Sequence, residues 1–169
     1  QFGYSMVATV ATTDSYGAAG IEAFHAAARE LNILVLAQER FDVAERDFTS
    51  QIRSLKASQA RVIVLFCLAS EQIGQFLLDA HAEGVGGPGY LFLGSDTSTS
   101  SNVWQSNDML TNETLRSKVL KGFVAMAPAV DATTEAYASF ATRMRAQPSS
   151  TGNDTACDLE VDDDGGTYV

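Results

Sequence analysis

No apolar run in this chain approaches the roughly 18 residues that a bilayer-spanning helix requires, so a transmembrane segment is not expected. Basic residues are scarce: Lys and Arg number 11 against 21 Asp and Glu, for a net charge of −10. That balance argues against nucleic acid and against an anionic membrane surface as partners. Histidine is limited to His25 and His81, and cysteine to Cys67 and Cys157, so no Cys/His cluster exists to hold a metal. There is no Gly-x-Ser-x-Gly elbow, no His-Glu-x-x-His, no phosphate loop and no Gly-x-Gly-x-x-Gly. Neither catalysis nor a bound cofactor is expected. The chain opens at Gln1 without a basic n-region or an h-region. Either a signal peptide was removed or the chain is a piece of something longer.

The two cysteines read differently. Cys67 follows the apolar run Val62-Ile63-Val64-Leu65-Phe66 and reads as a buried free thiol. Cys157 lies among Asp154, Asp158, Glu160, Asp162, Asp163 and Asp164, where it is expected to be exposed. An exposed thiol outside a cell needs a partner, which either Cys67 or a segment outside this chain could supply. The acidic stretch reads as a solvated surface loop, with cation attraction as the alternative. Its spacing is not that of a calcium-binding helix-loop-helix. The sequons Asn112-Glu113-Thr114 and Asn153-Asp154-Thr155 lean towards secretion and glycosylation.

What is present is a globular composition, with 46% hydrophobic and 19% charged residues over 169 positions. That suits one domain with its own core. Strand-like and helical patterns alternate. A strand near Tyr4 to Ala11 leads to a helix from about Gly17 that buries Ile21, Phe24, Ala28 and Leu31. A second strand, Ile33 to Ala37, leads to a helix from about Ala44 to Ala57 that buries Phe48, Ile52 and Leu55. A third strand, Val62 to Phe66, is apolar on both faces, as a central parallel strand is. Ser70 is a plausible cap for a third helix burying Ile73, Phe76, Leu77 and Ala80, which stops before the run Gly84-Val85-Gly86-Gly87-Pro88-Gly89. A fourth strand, Tyr90 to Leu93, runs into Gly94-Ser95-Asp96. Residues 97–108 read as a polar loop, Asn112 to Leu120 as a short helix, and Gly122 to Met126 as a fifth strand closed by Pro128. Thr133 to Arg145 reads as a helix burying Tyr137, Phe140 and Met144, and Gln147 to Gly166 as loop. The expected fold is α/β: a doubly wound, mainly parallel sheet with helices on both faces.

In such sheets ligands lie beyond the carboxyl ends of the strands. Tyr16 and Asp96 follow the first and fourth strands and are expected to face one crevice, with Asp14 and Ser15 as secondary candidates in the same turn. A carboxylate beside an aromatic ring suits an ammonium group. The alternatives are an Asx-turn for Asp96 and partial packing for Tyr16. Gly17 and Gly20 at the helix start leave N–H groups open to an anion, unless Gly17 serves only the turn. His25 and His81 read as surface histidines.

The run Tyr4-Ser5-Met6-Val7-Ala8-Thr9-Val10 and the run Asp14-Ser15-Tyr16-Gly17-Ala18-Ala19-Gly20-Ile21-Glu22-Ala23-Phe24 resemble the second lobe of the type I periplasmic-binding-protein family. Ala28-Arg29-Glu30, Ala60 to Cys67 and Phe92-Leu93-Gly94-Ser95-Asp96 follow in the family's order. The likeness is greatest to the ligand-binding region of class C G-protein-coupled receptors, the metabotropic glutamate receptors above all. It implies that residues 1–169 are a single lobe, half of a clam shell, whose partner lobe lies elsewhere in the same protein. It also implies that Tyr16 lines the wall against an amino-acid-like ligand and that Asp96 takes its ammonium. Ser98 and Ser101 stand where the glutamate receptors carry Trp and Arg, which leaves the ligand open between glutamate and a neutral or different molecule. On this reading the protein is an extracellular, glycosylated ectodomain of a plasma-membrane receptor that can homodimerise. The alternatives are a periplasmic solute-binding protein linked to transport and a ligand-silent dimerisation lobe of a receptor cyclase-like sensor. A receiver-like domain is disfavoured, because Ala11-Thr12-Thr13 and Phe66-Cys67-Leu68 occupy its acidic positions.

Overall fold

The computed structural model describes residues 4–68, 70–99, 112–126 and 133–146. The sequence alternation becomes five strands: β1 (Met6–Thr12), β2 (Leu34–Phe41), β3 (Val62–Phe66), β4 (Leu91–Gly94) and β5 (Phe123–Ala125). Between them run α1 (Ser15–Glu30), α2 (Thr49–Ser58), α3 (Ser70–Ala82), a 3₁₀ turn (Asp96–Thr99) and α4 (Glu113–Val119). All four strand pairings are parallel, in the order β2-β1-β3-β4-β5. The expected doubly wound parallel sheet is therefore what forms. The strand order reverses between β1 and β3, which is where such sheets open a crevice.

Side-chain alternation divides the core between two faces. On one face Ala8, Val10, Ile63, Leu65 and Phe92 meet Phe48, Ile52 and Leu55 of the α2 region and Ile73, Phe76, Leu77 and Ala80 of α3. Phe41, Phe48 and Phe76 pack ring to ring there, with centroids 5.0 to 6.1 Å apart. On the other face α1 lies against the sheet through Ile21 and Ala28, with Phe24 against Phe66.

The helix ends are chemically explicit. Asp14 caps α1, and Asn112 caps α4 by accepting from the Leu115 N–H at 3.0 Å. The first sequon asparagine thus has a structural task. Gly84, at a φ of 77°, follows α3 where the chain must turn back. The Arg61 guanidinium lies over the Tyr90 ring, 4.5 Å from its centroid.

Several expectations need correction. Leu31 is not buried: it is the C-cap of α1 and 69% exposed. The second strand extends to Phe41 through Gln38-Glu39-Arg40, because β2 is an edge strand whose residues need not be apolar. Residues 128–169 form a separate unit, of which α5 (Glu135–Ala146) is described. Phe140 and Met144 of that helix are half exposed, so the apolar spacing marks a face of the helix but not a buried one.

His25 is not a surface histidine either. Four residues after Ile21, it falls on the face of α1 that meets β1, and its Nε2 lies 3.2 Å from Oγ1 of the buried Thr9. Desolvation first, then the charges of Arg29 and Arg40, hold its pKa below the ordinary value. Unfolded histidine titrates near 6.5, so the unfolded chain takes up the proton first as pH falls. The stability carried by neutral His25 is complete above that pH and is lost as pH drops through the lowered folded value. His25→Gln is expected to flatten the fall in urea midpoint below about pH 6.5, measured against the parent protein across the same pH series.

Candidate functional site

Register brings the site together. Ala11 sits opposite Phe66, and Leu65 opposite Gly94, so β1, β3 and β4 end at one level. Only Thr13 and Asp14 separate β1 from α1. The helix starts at Ser15, not Gly17, which places Ser15 and Tyr16 in its first turn. Asp14 Oδ1 accepts from the Gly17 N–H at 2.9 Å. Burial pushes the Asp14 carboxyl up, but hydrogen bonds from the Thr12 hydroxyl and from the backbone N–H groups of Gly17 and Tyr16 outweigh it and hold the pKa below the usual carboxylate value.

This cap settles the role of the two glycines. The Gly17 N–H belongs to Asp14, so a charge of the right sign for the helix N-terminus is already in place. A Cβ on Gly17 would lie 2.2 Å from the Thr12 carbonyl oxygen, and one on Gly20 would lie 2.4 Å from Cδ1 of Phe66. Both glycines exist so that α1 can approach the sheet, not to hold an anion.

Tyr16 reaches across the end of β3 and donates its phenol proton to Asp96 Oδ1. Asp96 is exposed at the first position of the 3₁₀ turn, and Tyr16 is half buried. Burial pushes the Tyr16 pKa up and the Asp96 carboxylate adds to this, while the Ser95 and Thr97 hydroxyls work the other way. The phenol therefore stays protonated, as a donor, throughout the neutral range. Ser15 is exposed and makes no side-chain hydrogen bond among the described residues.

Two residues at this edge, Thr97 and Thr12, were missing from the sequence reading. Thr97 Oγ1 donates to the Cys67 carbonyl at 2.7 Å and lies 3.1 Å from Ser95 Oγ. Thr12 Oγ1 makes longer contacts to β3, to the Phe66 carbonyl at 3.5 Å and from the Leu68 N–H at 3.4 Å. The only sequence signal for them was their hydroxyl type at a strand end. Their partners depend on register, which no local pattern encodes. The buried Ser98 packs against Gly94, where a Cβ would come within 2.8 Å of its side chain.

Cys67 is a buried free thiol, as expected, and burial pushes its pKa far up, which leaves it unreactive. Cys157, the acidic stretch Asp154 to Asp164, the Asn153 sequon, Ser101 and the loop from Gln147 to Gly166 lie outside the described residues. Among the described residues no helix is long and apolar enough to cross a membrane.

The arrangement is a carboxylate, an aromatic face and several hydroxyls gathered at the carboxyl edge of a parallel sheet. Such an arrangement offers hydrogen-bond acceptance and negative charge. The family model for the receptor family ligand binding region matches residues 1–160, and the chain belongs to that family, a ligand-binding region of the type I periplasmic-binding-protein kind. A solved structure from Rhodospirillum rubrum, assigned to a branched-chain amino acid ABC transporter, is similar at 20% identity and a TM-score of 0.61, covering 82% of this chain and 37% of its own. A fatty acid ABC transporter substrate-binding protein from Thermomonospora curvata gives 18% identity, a TM-score of 0.59 and coverage of 82% and 33%. An extracellular ligand-binding receptor from Rhodopseudomonas palustris HaA2 gives 14%, 0.61 and coverage of 74% and 31%. The chain thus spans about a third of the length of these proteins. A search of curated proteins finds no match. The finer likeness to class C receptors rests on the sequence motifs alone.

Proposed function

We propose that the chain is one lobe of a two-lobed binding protein that holds a small, amino-acid-like molecule in the cleft between its lobes, without chemical change. The observation that carries this reading is the pairing of Tyr16 with Asp96 at the carboxyl edge. A ligand ammonium placed there meets a carboxylate and the face of an aromatic ring together. Asp14 caps α1 through Oδ1, while Oδ2 is buried without a hydrogen-bond partner among the described residues, so in this reading it shapes the turn first and is a secondary ligand contact. Closure of the two lobes follows if the ligand binds the closed state more tightly than the open one.

The similar structures favour a transport-linked, periplasmic or extracellular solute-binding protein. The motif Phe92 to Asp96 favours a receptor ectodomain. A membrane span in the same polypeptide marks the receptor, and association with a separate permease marks the transport protein. The fatty-acid binder among the similar structures makes a carboxylic acid without an amine the informative control.

The test is calorimetry on the full-length protein with a panel of L-α-amino acids and with octanoate. One or more amino acids are expected to bind, and Asp96→Asn is expected to weaken that binding about 30-fold or more, the effect of removing one partner of a desolvated charge pair. Binding of octanoate alone, or amino-acid binding untouched by Asp96→Asn, overturns the reading.

A further inference from the structure

We propose that Thr97 is a positioning residue for Asp96, holding the carboxylate where Tyr16 and a ligand ammonium can reach it. The backbone ladder cannot do this. The β3–β4 pairing ends at Leu65 opposite Gly94, and the last ladder-like bond is from the Ser95 N–H to the Leu65 carbonyl at 3.1 Å. Asp96 is the next residue and begins the 3₁₀ turn, in which the Ser98 N–H closes back on the Ser95 carbonyl at 3.0 Å. Beyond Ser95, among the described residues, the 2.7 Å bond from Thr97 Oγ1 to the Cys67 carbonyl ties this turn to the end of β3.

That bond is well anchored at both ends. Cys67 is buried, and its carbonyl is the first one past the end of β3. The Thr97 hydroxyl also lies 3.1 Å from Ser95 Oγ on the far side of Asp96, so the two residues flanking the carboxylate are linked by their side chains. A hydroxyl has one proton to give and two lone pairs to accept with. With the Thr97 proton committed to Cys67, Thr97 Oγ1 is left to accept in its contact with Ser95 Oγ. Asp96 itself is exposed, and an exposed side chain on a short turn samples many positions unless its backbone is held. On the other side of β3, Thr12 makes the equivalent, longer contacts to Phe66 and Leu68. The two halves of the site thus share one fixed post, the end of β3, and Thr97 is the clasp on the Asp96 side.

The consequence for ligand affinity rests on the proposed function, but the positioning itself can be read without ligand. In the full-length protein labelled with ¹³Cζ-tyrosine, the Tyr16 resonance is the one absent from Tyr16→Phe. Asp96→Asn is expected to move it, because the phenol loses a charged acceptor. Thr97→Val, which keeps the shape and removes the hydroxyl, is expected to move it too, with Thr97→Ala as a second loss variant, and to move it no further in the Asp96→Asn background, because its effect runs through the carboxylate and not through the hydroxyl's own contact with Tyr16. Thr97→Ser is expected to restore it. A Tyr16 resonance unmoved by Thr97→Val and Thr97→Ala, or displaced as far by Thr97→Ser as by Thr97→Val, overturns the proposal. With the amino acid that binds in the calorimetric panel, Thr97→Val is expected to lower affinity by about tenfold, the worth of one such hydrogen bond, and Thr97→Ser to lower it little. If Thr97→Val keeps full affinity while Asp96→Asn loses it, Thr97 does not position the carboxylate. Should no amino acid bind, the ligand reading falls, and the resonance arm still decides the role of Thr97.

Discussion

Gly17→Ala is expected to destabilise the protein by about 3 kcal/mol, at the upper end of what overpacking costs. Alanine is the better helix former by about 1 kcal/mol, so the clash must exceed that gain before any loss appears. It does so because the added Cβ would meet backbone: the Thr12 carbonyl oxygen at 2.2 Å, with the Thr12 amide nitrogen at 2.8 Å. A side chain can swing away, but a strand carbonyl in a parallel ladder cannot. Relief requires α1 to lift from β1, which breaks the Asp14 cap and carries Tyr16 away from Asp96. Denaturant titration is expected to give a lowered midpoint with an unchanged slope. In the isolated chain the thermal midpoint should fall by roughly 6 to 12 °C. Gly84→Ala is the comparison: that position has a φ of 77° but open space around it, so only the conformational cost of about 1 kcal/mol applies. A Gly17→Ala loss no larger than that of Gly84→Ala would mean that the gap between α1 and β1 yields.

Phe76→Ala is expected to cost about 3–5 kcal/mol, through lost burial and the cavity left behind. Phe76 is 1% exposed and touches both Phe41 and Phe48, its ring stacked on the first and edge-on to the second. These three rings come from β2, from the N-cap of α2 and from α3, so one deletion loosens the packing around three elements. The site is expected to be spared, since α1 and Tyr16 lie on the opposite face of the sheet. Thermal unfolding should show the full loss, while ligand affinity at a temperature where the variant is folded should stay near the parent value. The double variant with Phe41→Ala should cost less than the sum of the two, because both truncations empty one shared space. Additive costs would mean that the rings pack independently.

Much of this fold was legible because its periods are strong. β3 was readable to the residue, since Val62 to Phe66 is apolar on both faces and flanked by breaks. The buried Phe48, Ile52 and Leu55 and the buried residues of α3 followed from their spacing, although α2 begins at Thr49 and not near Ala44, and α4 falls within the short helix read over Asn112 to Leu120. The misreadings share a cause: they lie where tertiary context overrides local pattern. Gln38, Glu39 and Arg40 look like loop but belong to an edge strand. Leu31 looks like core but ends its helix in solvent. His25 looks like surface but meets Thr9. For the site, the residue types at the strand ends pointed to Tyr16 and Asp96, and the structure sets them side by side. The clasp through Thr97 could not be read, because it joins residue 97 to the carbonyl of residue 67, a pairing decided by register across the sheet.

The exposed flank of β2 has a cost of its own. Among the described residues, this strand order leaves β2 with one side unpaired over Leu34–Phe41, a ready template for another chain. Its carboxyl half carries Glu39 and Arg40, charges that discourage such pairing. Its amino half, Leu34-Val35-Leu36-Ala37, carries none, and Leu34 and Leu36 stand in solvent beside an equally exposed Met6. During refolding from denaturant, that uncharged half is where two molecules would zip together before each has closed its own core, so the order in which β2 and its neighbours assemble bears on yield as much as on stability.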